Sequence, residues 1–150
     1  MSNSSGTPIV SLLGRVLLSA IFILSGFTKI FAFHAMAGML AAKGFPLAAV
    51  AAGIAIAIEV VGGLAILTGF KAKVAAWIVF LYLIPTTLMF HNFWTMQGGM
   101  RMDNQAHFLK NLAIMGGLLL LASNGAGRAS LDALAARGND TAAVGASAGR

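Results

Sequence analysis

A handful of side chains in this 150-residue sequence can hold charge or move protons inside a chain that is otherwise apolar. They are Arg15, Lys29, Glu59, His91, His107, Lys110 and Asn111. Glu59 poses the sharpest question. It sits in the middle of residues 51–69, AAGIAIAIEVVGGLAILTG, with only apolar and small residues on either side. A lone acid near the centre of a membrane span costs about 2.5–3.5 kcal/mol on insertion scales. Glu59 must therefore be protonated, paired with a cation, or turned towards water inside the protein. Arg15, Lys29 and Lys110 are the cations that lie within apolar runs. His91 and His107 exchange protons near neutral pH, and Asn111 both donates and accepts hydrogen bonds. No nucleophile–base–acid set, phosphate-binding loop or dinucleotide fingerprint accompanies them. The chemistry on offer is ligand binding and proton handling.

Composition sets the environment. Hydrophobic residues make up 59% and charged residues 9%, with a mean hydropathy of +0.88. A soluble chain this small has too much surface to hide that excess, so the protein belongs in a bilayer. The net charge of +6 would suggest nucleic acid in a soluble protein. Here the basic residues stand at segment ends, where they report topology, and no nucleic-acid partner is expected. Absence of cysteine excludes disulfides, thiol redox chemistry, iron–sulfur clusters and covalent haem within this chain. Electrons, if any pass, need a bound organic cofactor or a partner.

The positioning elements follow from the apolar runs. Residues 1–7 read as a disordered tail, 8–124 as a transmembrane domain and 125–150 as a flexible cytoplasmic tail with a short helix around 130–136. Pro8 opens the first run, which extends to about residue 33 and is too long for a usual signal peptide. Arg15, Ser19, Phe22, Gly26 and Lys29 fall on one stripe of this helix. Residues 34–45 read as a short interfacial helix between spans one and two. The second span, about 46–68, carries Glu59, Gly62, Gly63 and Ile66 on one face, and the glycines allow close approach of a neighbour. A basic turn at 69–73 leads to the third span, about 74–93, bent by Pro85. A polar loop at 95–104 precedes the fourth, about 105–123, with His107, Lys110, Asn111, Ile114 and Leu118 on one stripe. The expected fold is an all-α integral membrane four-helix bundle in the bacterial inner membrane. The excess of Lys and Arg in the segments on the side of the termini places those termini in the cytoplasm.

Depth along each span suggests who meets whom. With a rise of ~1.5 Å per residue from each midpoint, Arg15 lies roughly 9 Å and Glu59 about 3 Å to the cytoplasmic side. Arg15–Glu59 is therefore the expected intramembrane ion pair, with Lys110, about 6 Å to the outer side, as the competing partner. Lys29, His91 and His107 fall roughly 10–13 Å outside the midplane. With Lys110 and Asn111 they form an outer-leaflet polar layer in which cations outnumber acids. Two readings stay open. The layer is a pocket for an electron-rich small molecule such as a quinone, or its members merely sit wet at the interface. Met89, Met96, Met100 and Met102 beside the two histidines are soft ligands, but methionine is also ordinary interface filler, and no metal is expected.

The motifs LGRVLLSAIFILSGFTKI, EVVGGLAILTG, HNFW and NQAHFLKNLAIMGGLLL together resemble the DoxX family of small four-helix bacterial membrane proteins, over about residues 12–121. The family pattern falls on Arg15, Ser25, Gly26, Lys29, Glu59, Gly62, Gly63, Lys110 and Asn111. The resemblance implies association with respiratory-chain quinone oxidoreductases and with membrane complexes that counter oxidative or thiol stress. The resulting expectation is a quinone-linked, redox-associated subunit of a membrane oxidoreductase, with quinone as ligand and no cofactor held within the chain. A non-catalytic anchor or assembly subunit and a small proton-coupled carrier are the alternatives. Partners would be the lipid bilayer and an oxidoreductase subunit, and a homo-oligomer is compatible with the pattern.

Overall fold

A computed structural model describes residues 8–148, so the expected tail at 1–7 lies outside the described residues. The chain runs through α1 Pro8–Phe31, α2 Phe33–Ala42, α3 Ala48–Thr68, α4 Ala72–Phe90, α5 Gly98–Asn124 and α6 Leu131–Ala148, with a single 3-10 turn at Phe93–Thr95. α1, α3, α4 with the turn after it, and α5 are long and apolar enough to cross a membrane. The all-α transmembrane bundle is thus the fold. α5 begins earlier than the sequence suggests. Residues 99–104, expected as loop, form its first turns, since Met100, Arg101 and Met102 favour helix and only Gly98 takes a positive φ.

In a bilayer the outer surface is apolar, and helices meet through small and polar side chains. α1 follows this rule. Arg15, Ser19, Phe22 and Gly26 are its buried residues, while Leu17 and Leu24 on other faces are 77% and 68% exposed. On α3 the buried face carries Glu59, Gly62, Gly63 and Ile66. Close approach fixes the register of these antiparallel helices. A Cβ on Gly26 would meet Val60 Cγ2 at 2.6 Å and Glu59 Cβ at 3.2 Å, and one on Gly63 would meet Ile23 Cγ1 at 2.9 Å and Phe22 Cβ at 3.2 Å. Gly62 does the same for α4, where a Cβ would stand 2.6 Å from Val79 Cγ2. Phe22, Ile66, Val79, Leu83 and Leu118 form the core between the helices. α1 packs on α3, α3 on α4 and α4 on α5, whereas α5 and α1 meet only loosely. The bundle is closed on three sides and grooved on the fourth.

Residues 125–132, read from the sequence as part of a tail, close one end of this bundle. Ala126 and Ser130 are buried. Ser11 Oγ donates to Ala126 O at 2.8 Å. Asp132 accepts from the amides of Lys71 at 2.7 Å and Ala72 at 3.1 Å, at the N-terminus of α4, where a carboxylate also suits the helix dipole. It thereby supports Lys71, a non-glycine residue held at φ +45°. Asp132 N donates in turn to Gly69 O at 3.1 Å. Helix then continues over Leu131–Ala148, longer than the short segment expected at 130–136. The start of α1 and the end of α5 therefore lie at the same end of the bundle.

Candidate functional site

The acid in the middle of α3 is held by α1 and α4 together. Lys29 Nζ, in the last turn of α1, lies 2.6 Å from both Glu59 oxygens and 2.6 Å from Ser25 Oγ. Tyr82 of α4 donates its hydroxyl to Glu59 Oε1 at 2.8 Å. The Glu59 side chain is 6% exposed and that of Lys29 28%. One carboxylate thus takes three charge-assisted or hydroxyl donor contacts from two neighbouring helices, which is how a buried charge becomes tolerable in hydrocarbon.

The expected Arg15–Glu59 pair does not form. The glycine contacts bring Gly26, not Arg15, level with Glu59, because α1 is slid along α3 relative to a midpoint-to-midpoint alignment. Arg15 instead reaches the end of α3. Its Nη1 donates to Leu67 O at 2.7 Å and lies 3.5 Å from Ile66 O, while Nη2 donates to Ala129 O. It is 2% exposed, and its Nε is buried with no partner among the described residues. The last carbonyls of a helix lack intrahelical donors and carry its negative pole. Arg15 satisfies them and ties the 125–132 segment to the bundle. Lys110 does not meet Glu59 either.

The outer polar layer divides into two parts. Asn111 is buried and donates to Thr87 Oγ1 at 3.0 Å, linking α5 to α4. Nearer the membrane surface, His91 and His107 stack with ring centroids 5.1 Å apart. His91 Nδ1 lies 3.3 Å from Asn104 Oδ1, and Lys110 Nζ lies 3.0 Å from His107 Nδ1. Lys29 belongs with Glu59, not with this group. Among the described residues, no three His, Asp or Glu side chains are grouped as a metal would need.

Lys110 also lines the groove left between α1 and α5. This trough has a volume of about 800 Å³. Leu17, Leu18 and Ile21 form one wall, Ala113, Ile114 and Leu121 the other, and Gly14 and Gly117 deepen it. Arg15 lines the end nearer the 125–132 segment and Lys110 the opposite end. A second cavity of about 240 Å³ lies beneath α2, against α3 and α4, and reaches Tyr82.

Sequence reasoning missed Tyr82 as a partner of Glu59, although a signal was present. The tight turn at 69–71 makes α3 and α4 antiparallel neighbours, and Glu59 and Tyr82 stand nearly equidistant from it in sequence.

The DoxX family model matches residues 10–92, which hold Arg15, Lys29, Glu59, Tyr82 and His91. The chain belongs to the DoxX family. Inner membrane protein YphA of Escherichia coli (strain K12) is 35% identical over 125 residues, 83% of this chain and 89% of that protein. Inner membrane protein YqjF of the same organism is 35% identical over 123 residues, 82% of this chain and 89% of that protein. The ER-derived vesicles protein ERV29 of Saccharomyces cerevisiae is 31% identical over 77 residues, 51% of this chain and 25% of that protein. No solved structure matches. Four apolar spanning helices and inner-membrane relatives make this DoxX protein a multi-pass inner membrane protein in a lipid environment.

Proposed function

We propose that this DoxX protein is a quinone-linked subunit of a membrane oxidoreductase system. The observation that carries the reading is the α1/α5 trough, about 800 Å³ and apolar along its walls, with Lys110 at its outer end beside the His107–His91 stack. That size is within the roughly 300–1,000 Å³ of small-molecule sites, and apolar walls with a few convergent polar groups are their usual lining. A quinone fits this donor set. Its apolar tail would lie along Leu18, Ile21 and Ile114, and its ring carbonyls would accept hydrogen bonds from Lys110 and His107. When bound, a quinone supplies two-electron, two-proton redox chemistry. The chain's own share is binding, orientation and proton supply at the Lys110 ammonium and the imidazoles. Electrons come from a partner, because a chain without cysteine and without a dinucleotide motif brings no evident redox group of its own. The basic residues Lys71, Lys73 and Arg128 favour an orientation with the end closed by residues 125–132 in the cytoplasm, which would set α2 at the outer interface.

A photoactivatable quinone analogue tests the reading. It should label peptides of α1 and α5, be displaced by excess quinone, and label Lys110→Ala about tenfold less, the effect of losing one charged contact. Labelling spread evenly over every lipid-facing helix would refute it.

A second reading is favoured by a different observation. Glu59, Lys29 and Tyr82 satisfy one another entirely within the bundle, as expected of an ion pair that sets helix register in a non-catalytic assembly subunit. Under that reading Glu59→Gln loses partner co-purification, whereas the quinone reading predicts unchanged labelling of the trough.

A further inference from the structure

The second cavity is chemically unlike the trough. It is bounded by Met36 and Leu40 of α2, Ala51 and Ala55 of α3, and Met89 and Phe90 of α4, and it holds about 240 Å³. A dry cavity of about 150 Å³ suffices for benzene, so one substituted ring fits. Lys43 stands beside two of these residues, its ammonium 3.3 Å from Met89 O and 5.3 Å from the centre of the Phe90 ring.

Two residues of the lining, Tyr82 and Thr86, carry hydroxyls, and both hydrogens are already committed. Tyr82 donates to Glu59 Oε1 at 2.8 Å. Thr86 Oγ1 donates to the carbonyl of Tyr82 at 2.8 Å. Each hydroxyl oxygen can then only accept. The lining residues thus offer acceptors and no free side-chain donor, Lys43 standing outside them. A ligand that can only accept, such as a ketone, ester or ether, finds no donor in the lining. One that donates finds an acceptor.

We propose that the cavity beneath α2 is a binding site for a small uncharged aromatic compound that bears a hydroxyl, a phenol in chemical class. The walls supply methionine sulfur and aromatic edges, both favourable against a ring, and the hydroxyl oxygens of Tyr82 and Thr86 supply the acceptors. The site is separate from the trough and does not depend on the quinone reading. Through Tyr82 it touches the Lys29–Glu59 pair, so occupancy is transmitted to the polar centre of the bundle.

The test uses the full chain in nanodiscs with ¹³C-methyl methionine, and 4-fluorophenol and 4-fluoroanisole as probes at matched membrane concentrations. The Met36 and Met89 methyl signals should shift saturably with the phenol. The methyl ether should need about tenfold more for half-saturation, the effect of one lost hydrogen bond in an apolar site. Thr86→Val should weaken the phenol and leave the ether unchanged, and Ala51→Phe should abolish saturable binding of both. Equal half-saturation for the two probes, shifts that rise without saturating, or saturation that survives Ala51→Phe would each overturn the proposal. The two-probe comparison on the unmodified chain decides the matter even if Ala51→Phe fails to fold.

Discussion

Lys29 Nζ stands 2.6 Å from both oxygens of Glu59, across the α1–α3 contact that Gly26 makes close. Removing one partner leaves the other charge in hydrocarbon, a loss of about 3 kcal/mol for a buried pair. Lys29→Met should destabilise the protein by that order in detergent unfolding. Lys29→Met with Glu59→Met should be the more stable of the two variants, because no charge is then orphaned. A double mutant as weak as the sum of the singles would show that the pair is not coupled.

Tyr82→Phe removes the third contact to Glu59 and nothing else of size. Hydrogen bonds between membrane helices average roughly 0.6 kcal/mol and reach about 1.7. A loss near the upper figure is expected, because the acceptor is a carboxylate. In the Lys29→Met/Glu59→Met background the same substitution should cost almost nothing.

The glycines separate into two kinds. A Cβ on Gly26 would meet backbone as well as side chain, Val60 N lying at 3.2 Å, whereas Gly14 and Gly53 have nothing within 4 Å. Gly26→Ala should therefore destabilise by about 1–3 kcal/mol, the usual cost of overpacking. Gly14→Ala and Gly53→Ala should be neutral or slightly stabilising, since alanine is the better helix former.

Much of this arrangement was legible in the sequence. The stripe Arg15, Ser19, Phe22, Gly26 is the buried face of α1, and Glu59, Gly62, Gly63, Ile66 that of α3, because helical periodicity dictates which side chains share a face. Periodicity says nothing of how far one helix is slid along its neighbour. That offset comes from the interlocking of Gly26 with Val60 and of Gly63 with Ile23, and it decided that Lys29, not Arg15, meets Glu59. The role of residues 125–132 was hidden for another reason. Their composition of Gly, Ala and Ser resembles a solvated tail, and their order comes from partners far away in sequence: Ser11, Arg15 and the start of α4.

Arg15 and Asp132 hold that closing segment from opposite sides. Arg15→Leu or Asp132→Ala should free it, and cleavage by a protease within residues 125–131 should speed up about tenfold for a loss near 1.4 kcal/mol. The transmembrane helices should keep their helical content. Unchanged cleavage in both variants would show that the segment is held by apolar packing alone.

A quinone-linked role requires the trough to be occupied. Native mass spectrometry of the protein released gently from its own membrane measures that directly. The natural chain should retain a quinone that is lost in Lys110→Ala and in Gly117→Leu, which fills the trough, and kept in Gly53→Ala, which alters only an exposed face of α3. A natural chain that carries no quinone, or a Lys110→Ala chain that carries as much as the natural one, would contradict that role.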